Sequence, residues 1–156
     1  MSGTNTLFPT LSQWTASLNR PVPSADPAVR SSAASCLIAV GVFHALEIQG
    51  QLSGAAWLTA GFILLAVVAP MAGLWLLAHP SLGAWQFAGL TSAAALGGYI
   101  LTRSVPVPGD TGDVGNWLEP IGLASILTEG VIIILAISVL ALAYRTARTI
   151  RPAPEG

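Results

Sequence analysis

The sequence predicts an all-α membrane protein, a four-helix transmembrane bundle with an amino-terminal interfacial helix, on three observations. Of the 156 residues, 53% are hydrophobic and only 8% are charged, whereas roughly a quarter of an ordinary soluble domain is charged. Four apolar segments lie between Ser31 and Tyr144, each of the length that crosses about 30 Å of hydrocarbon as a helix. Every charge between those two residues falls towards one side of the segments: Glu47, Arg103, Asp110, Asp113, Glu119 and Glu129.

Composition also excludes function classes. All the basic residues are Arg, and the net charge of −1 supplies no basic field for a nucleic acid partner. Cys36 is the only cysteine, which rules out an intramolecular disulfide and a cysteine-based zinc site. Residues 1–32 hold no basic stretch followed by an apolar core, so no cleavable signal peptide is expected and the first span directs insertion.

Taken in order, residues 7–19 place Leu7, Leu11, Trp14 and Leu18 at helical spacing, with Thr10 able to cap the helix and Arg20-Pro21 ending it. This segment reads as a helix lying in the membrane interface, and PVPSADP as an extended linker. The first span covers residues 31–50 and carries His44 and Glu47 on one face, which Gln51 continues. The second covers 55–78, with Trp57 and Trp75 near the two interfaces and a kink expected at Pro70. His79 falls in the turn that follows.

The third span covers 84–102. Gly89, Ala93 and Gly97 recur every fourth residue, a spacing that lets another helix approach closely, so this helix is expected at the centre of the packing. Tyr99 and Arg103 share a face at its end. The loop to Pro120 is rich in Pro and Gly, carries Asp110, Asp113 and Glu119, and has Trp117 as an interfacial anchor at the start of a helical turn. The fourth span covers 121–144, followed by Arg145, Arg148 and Arg151 and a flexible tail.

Five of the arginines flank the amino-terminal end of the first span and the carboxy-terminal end of the last, against Arg103 alone on the opposite side. By the positive-inside rule both termini are cytoplasmic in a multi-pass plasma-membrane protein. Residues 1–30 then form a cytoplasmic tail, 31–145 the four-span domain and 146–156 a second tail.

The acidic loop and two polar positions in the spans define the candidate site. Glu129 lies roughly 10 to 14 Å below the outer end of its span, and His44 roughly 9 Å below that of the first. A carboxyl at such depth costs on the order of 3 kcal/mol and must be protonated, paired or hydrated, so it faces the interior. If the helices pack in sequence order, Glu47, Tyr99, Thr102, Arg103, Ser125 and Thr128 reach the same outer cavity, with Asp113 and Glu119 in the loop above it.

Several readings stay open. Glu129 paired with His44 or Arg103 would fix how four otherwise featureless helices pack. His44, Glu47 and Glu129 offer an imidazole and two carboxylates, a ligand set for zinc or non-haem iron, although HALE reverses the Glu-x-x-His order of bundle di-iron sites. Copper gains nothing from Met1 and Met71, and haem is disfavoured because His44 and His79 belong to opposite sides. Proton relay or binding of a polar headgroup is the third reading, with the Arg103 fork suited to an anion. No nucleophile motif, P-loop or G-x-G-x-x-G occurs, which argues against a classical enzyme, and no inverted repeat suggests a complete transporter within one chain.

The segments HALE in the first span, YILTRSVPVPG after the third and DVGNWLEPIGLASILTEG into the fourth carry a resemblance. With these motifs, residues 37–145 resemble a group of uncharacterised small four-span integral membrane proteins of high-GC bacteria. The resemblance implies the architecture, draws attention to His44, Glu47, Arg103, Glu119 and Glu129, and implies no activity. The expected function is that of a non-enzymatic accessory or ligand-sensing subunit with an outward-facing polar cavity. A metal-binding or proton-relaying site on His44, Glu47 and Glu129 is the alternative. Expected partners are the lipid bilayer and a homo-oligomer or larger membrane complex.

Overall fold

The computed structural model describes residues 10–20, 22, 26–52 and 54–149. They form five helices: α1 (Leu11–Leu18), α2 (Pro27–Gln51), α3 (Ala56–Ala78), α4 (Leu82–Ser104) and α5 (Pro120–Thr149). Among the described residues no strand forms, only an isolated bridge between Val107 and Asp110. Leu7, most of the expected linker and residues 150–156 lie outside the described residues, while 146–149 of the expected tail continue α5.

Four of the five helix starts have a side-chain cap; α3, which follows Ala55, has none. Thr10 and Gln13 close a reciprocal capping box on α1, with the Thr10 N–H donating to Gln13 Oε1 at 2.8 Å. Asp26 caps α2 by accepting from the Ala28 N–H at 2.8 Å, and Pro27 takes the first helical position, where its missing N–H is no loss. This Asp-Pro start sets α2 going four residues before the expected span, so the carboxy-terminal end of the supposed linker is helix. Ser81 caps α4 through the Ala84 N–H. At α5 the pair Glu119-Pro120 repeats the Asp-Pro logic, and residues 116–119 form a turn at Trp117-Leu118 that is not part of the helix.

Three helices, α2, α3 and α5, are long and apolar enough to cross a membrane. Helix α4 equals α3 in length, 23 residues, but Gln86, Thr91, Ser92 and Thr102 dilute its apolarity. Helix α2 packs on α3 and α5, and α4 packs on the same two, so neighbours in sequence are neighbours in space and the ring closes from α5 to α2.

The buried core is mainly apolar, yet large apolar side chains also cover the outside and a few polar groups turn inward. Leu90, Leu127 and Ile134 point outward, 69%, 71% and 64% exposed, while Ser92, Thr91, Thr102, Ser125 and Glu129 point in. Small residues set the interhelical distance. A Cβ on Gly41 of α2 would run into the Pro70 ring of α3, and one on Gly73 would stand 3.0 Å from the Ala34 carbonyl oxygen. Close approach therefore centres on α2 and α3.

The expected Gly89, Ala93, Gly97 stripe does not perform that task inside the chain. A Cβ on Gly89 would meet Ala136 at 3.0 Å, but Ala93 and Gly97 face outward and nothing lies within 4 Å of a Cβ at Gly97. Helix α4 instead packs through Ala84, Trp85, Ala88, Ser92 and Ala95, about one position off the stripe. The amino-terminal segment is tied down as well. Val22 is buried in the core, its N–H donates to the Pro80 carbonyl at 3.1 Å, and the Leu82 N–H donates to that of Arg20 at 3.2 Å.

Candidate functional site

Where α2, α3, α4 and α5 meet the long loop 105–119, a cavity of about 290 Å³ opens. Its walls include His44, Glu47, Tyr99, Arg103, Asp113, Glu119 and Glu129. They reach it from three helices and the loop because the helices follow sequence order around the ring. Their roles differ from one another, and the hydrogen bonds sort them.

Arg103 builds the roof. Its Nη1 pairs with the Asp113 carboxylate and also donates to Thr102 Oγ1, and its Nε donates to the Asn116 carbonyl at 3.0 Å. The guanidinium lies 4.6 Å from the centre of the Tyr99 ring, and the Arg103 carbonyl accepts from the Gly115 N–H at 2.9 Å. Tyr99 donates its hydroxyl to the Trp117 carbonyl at 3.0 Å. Arg103, Asp113 and Tyr99 are thereby engaged in holding the loop, with Nε and Nη1 of the guanidinium both bonded.

The far side of the loop is fastened to α3. Val107 and Asp110 exchange backbone hydrogen bonds around Pro108 and Gly109, a tight turn that needs the left-handed φ of +83° at Gly109. Trp57 Nε1 donates to the Pro108 carbonyl at 2.9 Å. Gly109 sits so close to the start of α3 that a Cβ there would stand 2.7 Å from that of Ala55. The loop is a folded cover bridging α4, α5 and α3.

Glu119 is a helix cap. Its two carboxylate oxygens accept from the Ile121 and Gly122 N–H groups at 2.8 and 2.6 Å, which satisfies donors that every helix start leaves unpaired. Gly122 has to be Gly, since a Cβ would lie 2.5 Å from Tyr99 Cε2 and 2.7 Å from Glu119 Oε2.

His44 and Glu129 lie deeper. The His44 Nδ1–H donates to the Val40 carbonyl one turn back, at 2.9 Å, leaving Nε2 as the nitrogen able to serve a ligand, and the ring packs against Phe62. Glu129 is 1% exposed. Its Oε1 accepts from Ser125 Oγ at 2.7 Å, and its Oε2 is buried without a partner. The expected pairing of Glu129 with His44 or Arg103 is absent: the carboxyl is anchored to its own helix, one turn back. Thr128, expected in the cavity, turns its hydroxyl to the Ala124 and Ser125 carbonyls instead.

Among the described residues no three His, Cys, Asp or Glu side chains are grouped so as to hold a metal ion. His44, Glu47 and Glu129 share a cavity without converging on one point, which corrects the expected ligand set. Asp110 was missed as a wall residue. Its Oδ1 accepts from the Gly112 N–H and its Oδ2 is buried without a partner. The Pro108-Gly109 turn was a legible signal, because such a turn folds residue 110 back towards 107. Phe43, Phe62 and Trp57 complete the wall, and their apolar character gave no sign of it in sequence.

No family model, curated protein or solved structure matches the chain. The site must therefore be read from its own chemistry.

Proposed function

We propose that this is a four-span plasma-membrane protein with both termini cytoplasmic, serving as a non-enzymatic ligand-sensing or accessory subunit whose cavity opens outward beneath the 105–119 loop. The observation that carries the reading is Glu129: a carboxyl 1% exposed, with one oxygen unpartnered, in the wall of a cavity of about 290 Å³. An ionisable group is kept at such a place at a cost of several kcal/mol, and natural membrane proteins tolerate that where something binds. Kinship with the four-span proteins of high-GC bacteria belongs to the same proposal and rests on the sequence motifs.

Several features support the fourth span. Helix α4 turns Thr91, Ser92 and Thr102 inward and Phe87, Leu90, Ile100 and Leu101 outward, so its outer surface suits lipid. Its length matches α3, and it packs against two helices that are themselves apolar enough to cross. Helix α1 exposes Leu11, Trp14 and Leu18 along one side, a surface suited to the membrane interface. The arginine distribution supports cytoplasmic termini.

Cysteine accessibility tests the reading. In a Cys36→Ala background, Gly61→Cys places a thiol in the cavity wall where a Cβ meets nothing within 4 Å. In intact cells a small membrane-impermeant thiosulfonate should label it from outside, and should label Arg148→Cys only after permeabilisation. An unlabelled Gly61→Cys, or Arg148→Cys labelled in intact cells, would overturn the outward orientation.

A further inference from the structure

We propose that the cavity is selective for an organic cation: a protonated amine on a small aromatic or aliphatic body, its ammonium answering the Glu129 carboxylate. The inference rests on the outward-facing cavity proposed above and adds the charge and class of its ligand.

The charge balance of the walls carries it. Five carboxylates line the cavity, Glu47, Asp110, Asp113, Glu119 and Glu129, against one guanidinium. Arg103 is committed to Asp113, Thr102, the Asn116 carbonyl and the Tyr99 face. Glu119 has both oxygens on the amides that open α5. Glu47, Asp110 and Glu129 are left without an ion-pair partner among the described residues.

Two of these three carry a stronger demand. Asp110 Oδ2 in the roof and Glu129 Oε2 in the helical wall are both buried and both lack a hydrogen-bond donor. A buried acceptor without a donor is costly, and more so when it is ionised. A ligand with N–H donors and a positive charge supplies both a donor and a counter-charge that favours the ionised carboxyl, whereas an alcohol supplies only the donor.

An inorganic divalent ion is the poorer match. Such ions need several oxygens converging at fixed distance, and among the described residues no such group is assembled. An ammonium is satisfied by one carboxylate beside aromatic faces. Phe43, Phe62 and Trp57 supply apolar wall for the ligand's body. At about 30 Å³ per heavy atom, the figure for liquid water, the cavity of about 290 Å³ holds a molecule of roughly ten.

The test uses the full-length protein in detergent and three probes of one shape: phenethylammonium, 2-phenylethanol and 3-phenylpropionate, titrated calorimetrically against empty micelles. Phenethylammonium should bind at least tenfold more tightly than the alcohol, and the propionate more weakly than either. Glu129→Gln should remove at least tenfold of the amine's affinity and leave that of the alcohol, and Asp110→Asn should remove about threefold. Alcohol or propionate binding as tightly as the amine would overturn the cation class while a ligand cavity stood. Binding of none of the three would overturn the proposal, with labelling of Gly61→Cys deciding separately whether the cavity opens outward. Unchanged amine affinity in both variants would overturn it too. If Glu129→Gln fails to fold, the wild-type series and Asp110→Asn still decide.

Discussion

Gly41 and Pro70 set the distance between α2 and α3. The proline ring occupies the space a side chain at position 41 would take, so two residues that weaken helices in isolation fit one another here. Gly41→Val should therefore overpack the interface, costing about 1–3 kcal/mol. The check is the thermal midpoint of detergent-solubilised protein, followed with a thiol-reactive dye on Cys36, and Pro70→Ala in the same chain should recover part of the loss. Gly109 differs in kind. Its φ of +83° and its contact with Ala55 both forbid a Cβ. Gly109→Ala should thus loosen the roof and speed amide exchange over the loop, while the helices keep their protection.

The loop between α4 and α5 behaves as an element of its own, although it has no regular secondary structure. Arg103 organises it through the Asp113 ion pair and a hydrogen bond to the Asn116 carbonyl, while Thr102 and the Tyr99 ring of α4 hold the guanidinium in place. Lysine keeps the charge and loses the planar fork that makes them together. Arg103→Lys should raise amide exchange in residues 105–118 about tenfold, as hydrogen–deuterium exchange would measure; exchange no faster than wild type would show that charge alone holds the roof. At the start of α5, Glu119→Ala frees two amide donors and removes a cap, with an expected cost of about 1 kcal/mol in thermal stability. Both substitutions act on the cover and leave the Glu129–Ser125 pair in place.

On the scale of the whole molecule, the amino-terminal segment is part of the fold. Val22 is buried in the core, and backbone hydrogen bonds join residues 20 and 22 to the turn between α3 and α4. Deleting residues 1–25 should leave membrane insertion intact, because α2 keeps its Asp26 cap and its full apolar length. It should also lower the thermal midpoint by several degrees, since burying a Val side chain contributes roughly 2 kcal/mol. Loss of insertion in the truncated chain, assayed by alkaline extraction of membranes, would show instead that α1 is required to enter the bilayer.

Features that depend on local chemistry and on the average environment were legible in the sequence. Apolar length placed the helices within a few residues, because backbone groups in hydrocarbon have little alternative to helix. Depth and charge drew His44, Glu47, Tyr99, Arg103, Asp113, Glu119 and Glu129 to one region. Which partner each of these takes follows from the packing of the helices. Arg103 and Asp113 close the roof, Glu119 caps a helix, and Glu129 keeps an oxygen unpaired. The physical reason is that helical spacing fixes which residues share a face, whereas the rotation of each helix about its axis comes from contacts distant in the chain. Gly41 against Pro70 and Trp85 in the core turn α2, α3 and α4 as they stand, and the Gly89, Ala93, Gly97 stripe loses that competition.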